Sequence, residues 1–196
     1  MFDSLLKWKG VKLVFVVGKN NEEVSNFIHN LIGDFCSVKK ISSTGSFLKK
    51  MPLIFNDVIL LNQSDVELEE LESFFSSFKE VIVLINSDDL SKEKGIISKL
   101  SKENTILIDF ESKEKVPGKR MNRFLSFGID SEADFYVSDV KTGEKTNFKI
   151  NYDGSSVPVW LDGKSSTDDV LKAVSGLGVG VLLGINFVSL TQKFKK

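Results

Sequence analysis

Apolar residues fall along this chain in two rhythms. From residue 12 to 110 they come as short unbroken runs: Leu13-Val14-Phe15-Val16-Val17, Val58-Ile59-Leu60-Leu61, Val81-Ile82-Val83-Leu84-Ile85 and Ile106-Leu107-Ile108. Runs of this length, rich in β-branched residues, read as strands buried on both faces. They predict strands over 12–17, 57–62, 80–86 and 105–110, with shorter ones over 38–42 and 123–127. Between the runs, apolar residues recur at helical spacing. Val24, Phe27, Ile28, Leu31 and Ile32 form one face of a helix that Gly33 stops. Leu71, Phe74, Phe75 and Phe78 mark a second helix starting near Asp65, and 91–100 a third, opened by Ser91. Buried strands alternating with helices predict an α/β fold of three layers, with a mostly parallel sheet covered on both faces.

Beyond residue 133 the rhythm changes to a period of two. Segments 134–140, 146–152 and 156–161 alternate apolar and polar residues, separated by the turn signals Thr142-Gly143 and Asp153-Gly154. That pattern predicts an antiparallel meander with one solvated face. Ser166 and Asp169 have the spacing of a capping box for a last long helix. Val170, Val174, Leu177 and Val181 give this helix its apolar stripe, and Gly184 ends it. Phe187, Leu190 and Phe194 suggest one more short helix. No Pro- or Ser-rich linker and no repeat divides the chain. It reads as a single domain over 1–196, with a parallel α/β part over 1–128 and the meander and closing helices over 129–196.

Composition narrows the reading a little. A chain of 196 residues buries about 70% of its unfolded surface and needs no disulfide staple. The formal net charge of −1 gives no general attraction to nucleic acid or to an anionic membrane. Cys36 is the sole cysteine, so no intrachain disulfide forms. The first residues lack a secretory pattern, and the longest nearly apolar stretch, 173–185, is too short and Gly-rich to span a bilayer. Together these point to a cytoplasmic protein.

The candidate chemistry lies first in residues 12–28, KLVFVVGKNNEEVSNFI. A strand ends at Gly18, a polar turn follows, and a helix begins, which is the layout of a nucleotide-binding loop. Such a loop needs a Lys for the phosphates and a Ser or Thr for the metal. Glu22 and Glu23 stand there instead, and two carboxylates repel a triphosphate. Backbone amides around Gly18, Lys19 and Asn20 could still cradle an anion. The favoured reading is a helix start already stabilised by its own two carboxylates. Asn86, Asp88 and Asp89 follow the 80–86 strand at its carboxyl end, where ligand crevices of parallel sheets lie. A helix cap with an Asx turn uses the same geometry, so both readings stand.

Other residues carry less. His29 lies one residue off the apolar stripe and reads as structural, and Cys36 has no basic partner to activate it. Lys113, Lys115, Lys119, Arg120 and Arg123 are interspersed with Glu111 and Glu114 and read as a solvated loop, not as a phosphate or RNA site. Gly176, Gly180 and Gly184 recur every four residues and permit close backbone approach. Packing on the chain's own sheet is the first reading of that stripe, and a homo-oligomer contact the second.

The order of these pieces resembles the central, ATP-binding domain of the Mur ligases, with folylpolyglutamate synthetase as a relative. VFVVGKNNEEVSNFI resembles the family's phosphate loop, usually VTGTNGKTTT. DVILLNQSD resembles the strand that ends in a TNI…DH motif, and VIVLINSDD the VLNADD segment. FLSFGIDSEADFYVSDV resembles the segment where a TFG-like strand leads into the meander. The resemblance covers nearly the whole chain and implies ATP and magnesium, used to join an amino acid or peptide to a carboxylate through an acyl phosphate. It implies that Asn86, Asp88 and Asp89 match residues at the adenine and ribose end of the nucleotide.

The departures are equally specific. The Lys–Thr pair of the loop is Glu22–Glu23, and Asn62-Gln63-Ser64-Asp65 stands where the family's metal-binding His is expected. Residues 163–167 lack the Asn of the G-x-H-N segment, and the family's metal-bridging Lys has no secure counterpart. A chain of this length also has no room for the family's two flanking domains. The expectation is a degenerate Mur-ligase-like domain with no catalytic residue, no metal site and no cofactor in use. It would serve as a binding or regulatory module for a protein partner. The alternative is an ATP-dependent amide-forming ligase, alone or completed by another chain; a purely structural module is the third reading.

Overall fold

The computed structural model describes residues 8–43, 57–65, 68–87, 90–91, 93–116 and 123–194. The apolar runs form strands that are longer than the runs themselves. They are β1 (Trp8–Gly18), β2 (Val38–Ser43), β3 (Val58–Asp65), β4 (Phe78–Asn86), β5 (Thr105–Asp109) and β6 (Arg123–Gly128). All pair in parallel, in the order β2-β3-β1-β4-β5-β6. The meander follows as β7 (Phe135–Lys141), β8 (Thr146–Tyr152) and β9 (Ser155–Leu161), extending the same sheet antiparallel from β7 onward.

The junction between the two regimes is itself parallel. Phe127 pairs with Phe135 and Gly128 with Tyr136, although only a short turn separates β6 from β7. Parallel neighbours ordinarily need a crossover of about a dozen residues or more. Here the overlap is just the end of β6 against the beginning of β7. The chain sidesteps by one strand width and runs on in the same direction.

Alternate residues of the central strands feed two separate cores, which is why the runs are apolar throughout. Val14, Val16, Leu60, Ile82, Leu84 and Leu107 face α1 (Asn21–Ile32), α4 (Thr167–Leu182) and α5 (Phe187–Gln192). Leu13, Phe15, Val17, Leu61, Val83 and Ile108 face α2 (Leu68–Ser76) and α3 (Glu93–Ser98). Each such fully buried side chain contributes about 1.5–3 kcal/mol. The predicted three-layer α/β architecture is the observed one. In the meander, Phe135, Val137, Phe148, Ile150 and Val159 continue the first core, and Phe135 stacks on Tyr152 with ring centroids 4.0 Å apart. Tyr136, Ser138 and Lys149 of the same strands are half-buried or exposed, so that face is the solvated one.

Several boundaries move. Phe78 opens β4 instead of closing the helix before it, because that helix ends at Ser76. Asp65 ends β3 and does not start the helix, which begins at Leu68. The third helix is confined to Glu93–Ser98. Phe110 leaves β5 and opens a 3-10 helix, Phe110–Lys115, within the stretch read as a solvated loop. Lys113 is drawn inward there: its Nζ donates to Ser126 Oγ at 3.2 Å and lies 3.6 Å from the Asp134 carboxylate. Lys119 and Arg120 lie outside the described residues. Among the described residues, no helix is long and apolar enough to cross a membrane.

The glycines of α4 face the chain's own interior. A Cβ on Gly176 would come 2.6 Å from the Phe27 ring of α1, and one on Gly180 would come 2.7 Å from Leu190 of α5. Gly178, between them, lies as closely against Leu107 of the sheet. Gly184 takes a φ of +89° beyond the helix end. Of the stripe, Gly176 and Gly180 are thus covered by α1 and α5, while Gly184 is exposed with open space where a Cβ would stand. Gly176→Leu is expected to destabilise the chain by about 1–3 kcal/mol through overpacking. A lowered midpoint in urea, with unchanged slope, is the signature to look for.

Candidate functional site

Four parallel strands finish together: β1 at Gly18, β4 at Asn86, β5 at Asp109 and β6 at Gly128. The turns that follow them, with the start of α4, surround a cavity of about 580 Å³. This is the carboxyl edge of the sheet, where parallel α/β folds form their crevices.

The loop after β1 is fixed by backbone geometry. Gly18 has a φ of +101°, and a Cβ there would stand 2.2 Å from the Asn86 carbonyl oxygen. The next amide, Lys19 N, donates to that same oxygen at 2.7 Å. Asn86 Nδ2 donates back to the Lys19 carbonyl at 3.4 Å, so Asn86 clamps the turn from both sides. Asn20 is left-handed, with a φ of 52°, and forms the N-cap of α1 without a side-chain bond. Its carbonyl accepts from Val24 N, and the helix is under way.

The two carboxylates of the loop then part company. Glu22 is exposed and does not line the cavity. Glu23 does line it, and its carboxylate accepts a hydrogen bond and ion pair from Lys172 of α4. Lys172 also lies 3.1 Å from Asp169 Oδ1. Its side chain is only 20% exposed. The hydrogen bond it donates to Glu23 raises the Lys172 pKa above its ordinary value, against the opposing pull of burial. Asp169 Oδ2 accepts from Ser166 Oγ at 2.7 Å and Ser166 N at 3.0 Å, completing the capping box read from the sequence. These bonds, the hydroxyl's first, hold the Asp169 carboxyl below its ordinary range.

The far wall comes from the ends of β5 and β6. Asp109 Oδ1 accepts from Glu111 N at 2.9 Å and caps the 3-10 helix. Ser112 Oγ donates to the Ser87 carbonyl at 2.6 Å, tying that helix to the turn after β4. Asp130 Oδ1 accepts from Glu132 N at 2.8 Å. Phe110, Ile129 and Leu171 give the cavity an apolar side, with Ile129 half exposed.

Of the residues singled out from the sequence, Lys19, Asn20 and Asn86 come together around this cavity, and Gly18 sets the turn between them. Asp88 and Asp89 lie outside the described residues. The sequence reading missed Asp109, Phe110, Ile129 and Lys172. Asp109 carried a signal, because it ends its strand at the level where Asn86 ends β4. Lys172 carried none, since it stands 149 residues from its partner Glu23. Cys36 is half-buried, its Sγ is 3.5 Å from the Ile32 carbonyl, and burial pushes the thiol's pKa up.

No protein-family model matches the sequence, and no curated protein matches it significantly. Solved structures do match. A MurF ligase from Thermotoga maritima, in complex with ADP, superposes on 93% of this chain with a TM-score of 0.67 and 17% identity. The UDP-N-acetylmuramoylalanyl-D-glutamyl-2,6-diaminopimelate–D-alanyl-D-alanyl ligase from Acinetobacter baumannii gives 0.69 over 95% at 10% identity. A pseudomurein peptide ligase type C from Methanothermus fervidus gives 0.60 over 97% at 15% identity. The fold is Mur-ligase-like. The Mur-ligase-like chain spans 48%, 46% and 51% of those three proteins, about half their length. Identities this low carry the fold and leave the chemistry to the residues of the site.

Three variants test the geometry of this site. Gly18→Ala forces a side chain onto a left-handed backbone against the Asn86 carbonyl, and is expected to cost about 2–4 kcal/mol in urea unfolding. Ser166→Ala removes the cap of α4 and is expected to cost about 1 kcal/mol at neutral pH. The Asp169 side of that box depends on acid. Because its folded pKa lies below the unfolded value, its contribution is present above the ordinary 3.8 and is lost as pH falls through the lower folded value. Asp169→Asn should flatten that limb of the stability–pH curve.

Proposed function

We propose that this chain is a Mur-ligase-like domain whose nucleotide-binding loop has lost its phosphate chemistry, and that it works as a binding or regulatory module for a protein partner. The observation that carries the reading is the Glu23 carboxylate. It faces the cavity at the position where the resembled family carries a metal-binding hydroxyl, and Lys172 holds it there.

Phosphoryl transfer depends on positioned cations that neutralise the charge developing on the transferred group. The resemblance calls for a Lys at position 22 and a Thr at position 23. An exposed Glu22 and a cavity-lining Glu23 do not fit a triphosphate with magnesium. Lys172 brings positive charge to this end of the cavity, but two carboxylates already share it. Among the described residues, no three His, Cys, Asp or Glu side chains are grouped to hold a metal ion. Asn86, a residue that the resemblance would give to the nucleotide, spends its amide on the Lys19 carbonyl.

The alternative reading, an ATP-dependent amide-forming ligase, draws on the loop path itself. Gly18 and the Lys19 amide keep the strand–turn–helix course of a phosphate cradle. The structural relative from T. maritima was solved with ADP, so a nucleotide is the right ligand for the test. Calorimetry with magnesium-ATP is expected to show no saturable heat, and a phosphate-release assay no rate that scales with protein concentration. Either saturable binding or proportionate turnover would overturn the proposal in favour of the ligase. Glu22→Lys/Glu23→Thr changes the local charge by about three units, of which the one at cavity-lining position 23 is worth a few kcal/mol at ~4–6 Å and an effective dielectric near 20 before desolvation. That variant is expected to gain millimolar-to-micromolar nucleotide affinity and still release no phosphate.

A further inference from the structure

β9 is the last strand of the sheet, and among the described residues no further strand pairs with its outer side. Its sequence, SSVPVWL, ends in an unbroken apolar run from Val157 to Leu161. Val157 and Val159 are buried, while Ser156 and Pro158 are exposed. An edge strand of this composition is a template on which another chain can add a strand.

The hairpin before β9 decides which backbone groups lie on that edge. Asp153 and Gly154 have φ of 47° and 73°, the two left-handed positions of a type I′ turn. In such a hairpin the flanking pair, Tyr152 and Ser155, exchanges both backbone bonds, and bonded pairs recur at every second position. Ile150–Val157, Phe148–Val159 and Thr146–Leu161 are therefore the bonded pairs. Asn151–Ser156, Lys149–Pro158 and Asn147–Trp160 are the non-bonded ones, in which the β9 residue turns its backbone groups away from β8. Pro158 occupies the middle of that outward row. It has no N–H to offer, and its ring stands where an added strand would come. The pairing with β8 loses nothing by it, because the ladder asks no N–H of this position.

We propose that Pro158 keeps the outer edge of β9 closed to strand addition, and that the occupant it excludes is a second copy of this chain. Strands of identical sequence can pair antiparallel about a two-fold axis. Centred on residue 158, that pairing sets the two prolines opposite each other, at a position that needs an N–H from each. With the proline replaced, both bonds form and the two sheets continue through the pair. Among the described residues, none from β9 lines the cavity, so this edge is independent of what the loop binds.

Sedimentation equilibrium of the full chain, from low micromolar concentration upward, tests the proposal on wild type, Pro158→Thr and Pro158→Ala. Both variants restore the N–H at an exposed position, and alanine does so without a β-branched side chain. Each is expected to self-associate at least tenfold more tightly than wild type. Ser156→Pro/Pro158→Thr moves the block two residues along the same outward row, and is expected to return association to the wild-type level. Amide exchange gives a second readout: in the associated Pro158→Thr chain the amide at position 158 becomes protected. The proposal is overturned if both folded single variants associate no more than wild type, or if adding Ser156→Pro leaves the association undiminished. It is equally overturned if the amide at position 158 exchanges as fast in the associated chain as in the monomer.

Discussion

Gly18 has no room for a side chain, and much of the structure follows from that. β1 lies between β3 and β4 with residues Leu13 to Val17 buried on both faces. A strand so enclosed cannot turn until it clears the sheet. It clears it at the level of Asn86, whose carbonyl would sit 2.2 Å from a Gly18 Cβ. The left-handed turn that results throws Lys19 and Asn20 across the end of β4 and starts α1 directly above the sheet. α1 then brings Phe27 and Leu31 against Gly176 of α4, and α4 carries Lys172 back to the loop. The cavity is the space left between these two helix starts and the ends of β5 and β6.

What was legible in the sequence follows from burial. The inner strands could be read because both faces are covered, so no polar residue interrupts Val81 to Ile85. The meander could be read because one face is not covered, so polar and apolar residues alternate. The capping box could be read because Ser166 and Asp169 interact with each other across three residues of chain. Errors arose where a residue type serves two states equally. Phe78 continues a helical stripe by spacing, yet packs edge-on against Phe74 from the first position of β4. Phe110 continues an apolar run, yet belongs to the helix that Asp109 caps.

The cavity walls were the least legible part, because their partners are distant in the chain. Asp109, Ile129 and Lys172 meet the loop only once the sheet is ordered. Nothing local distinguishes Lys172 from any other lysine on a helix surface. A pair of loop carboxylates also invites one common reading, and the fold separates them. Glu22 points to solvent while Glu23 is engaged by a lysine that is one-fifth exposed. Exposed ion pairs contribute about 0–1 kcal/mol, and Glu23 itself is 61% exposed. The importance of the pair therefore lies in which charges it leaves available, more than in stability.

On the proposed reading, the persistence of a phosphate-loop path without phosphate chemistry has a structural explanation. The glycine, the left-handed turn and the amide aimed at Asn86 all serve to end β1 against β4, whatever occupies the space beyond. Lys19 N, which a phosphate loop would present to its ligand, donates to a backbone carbonyl 2.7 Å away. The requirements of the backbone and those of the ligand are thus separable here. The backbone's are met by Gly18 and Asn86, and the ligand's depend on side chains at positions 22 and 23. The fold is kept at 10–17% identity to its structural relatives, and a kept fold does not by itself keep the side chains that serve a ligand. Cradle geometry alone is consequently no argument for a nucleotide. The sign of the charge that lines the cradle is the better guide, and among the described residues that sign is negative.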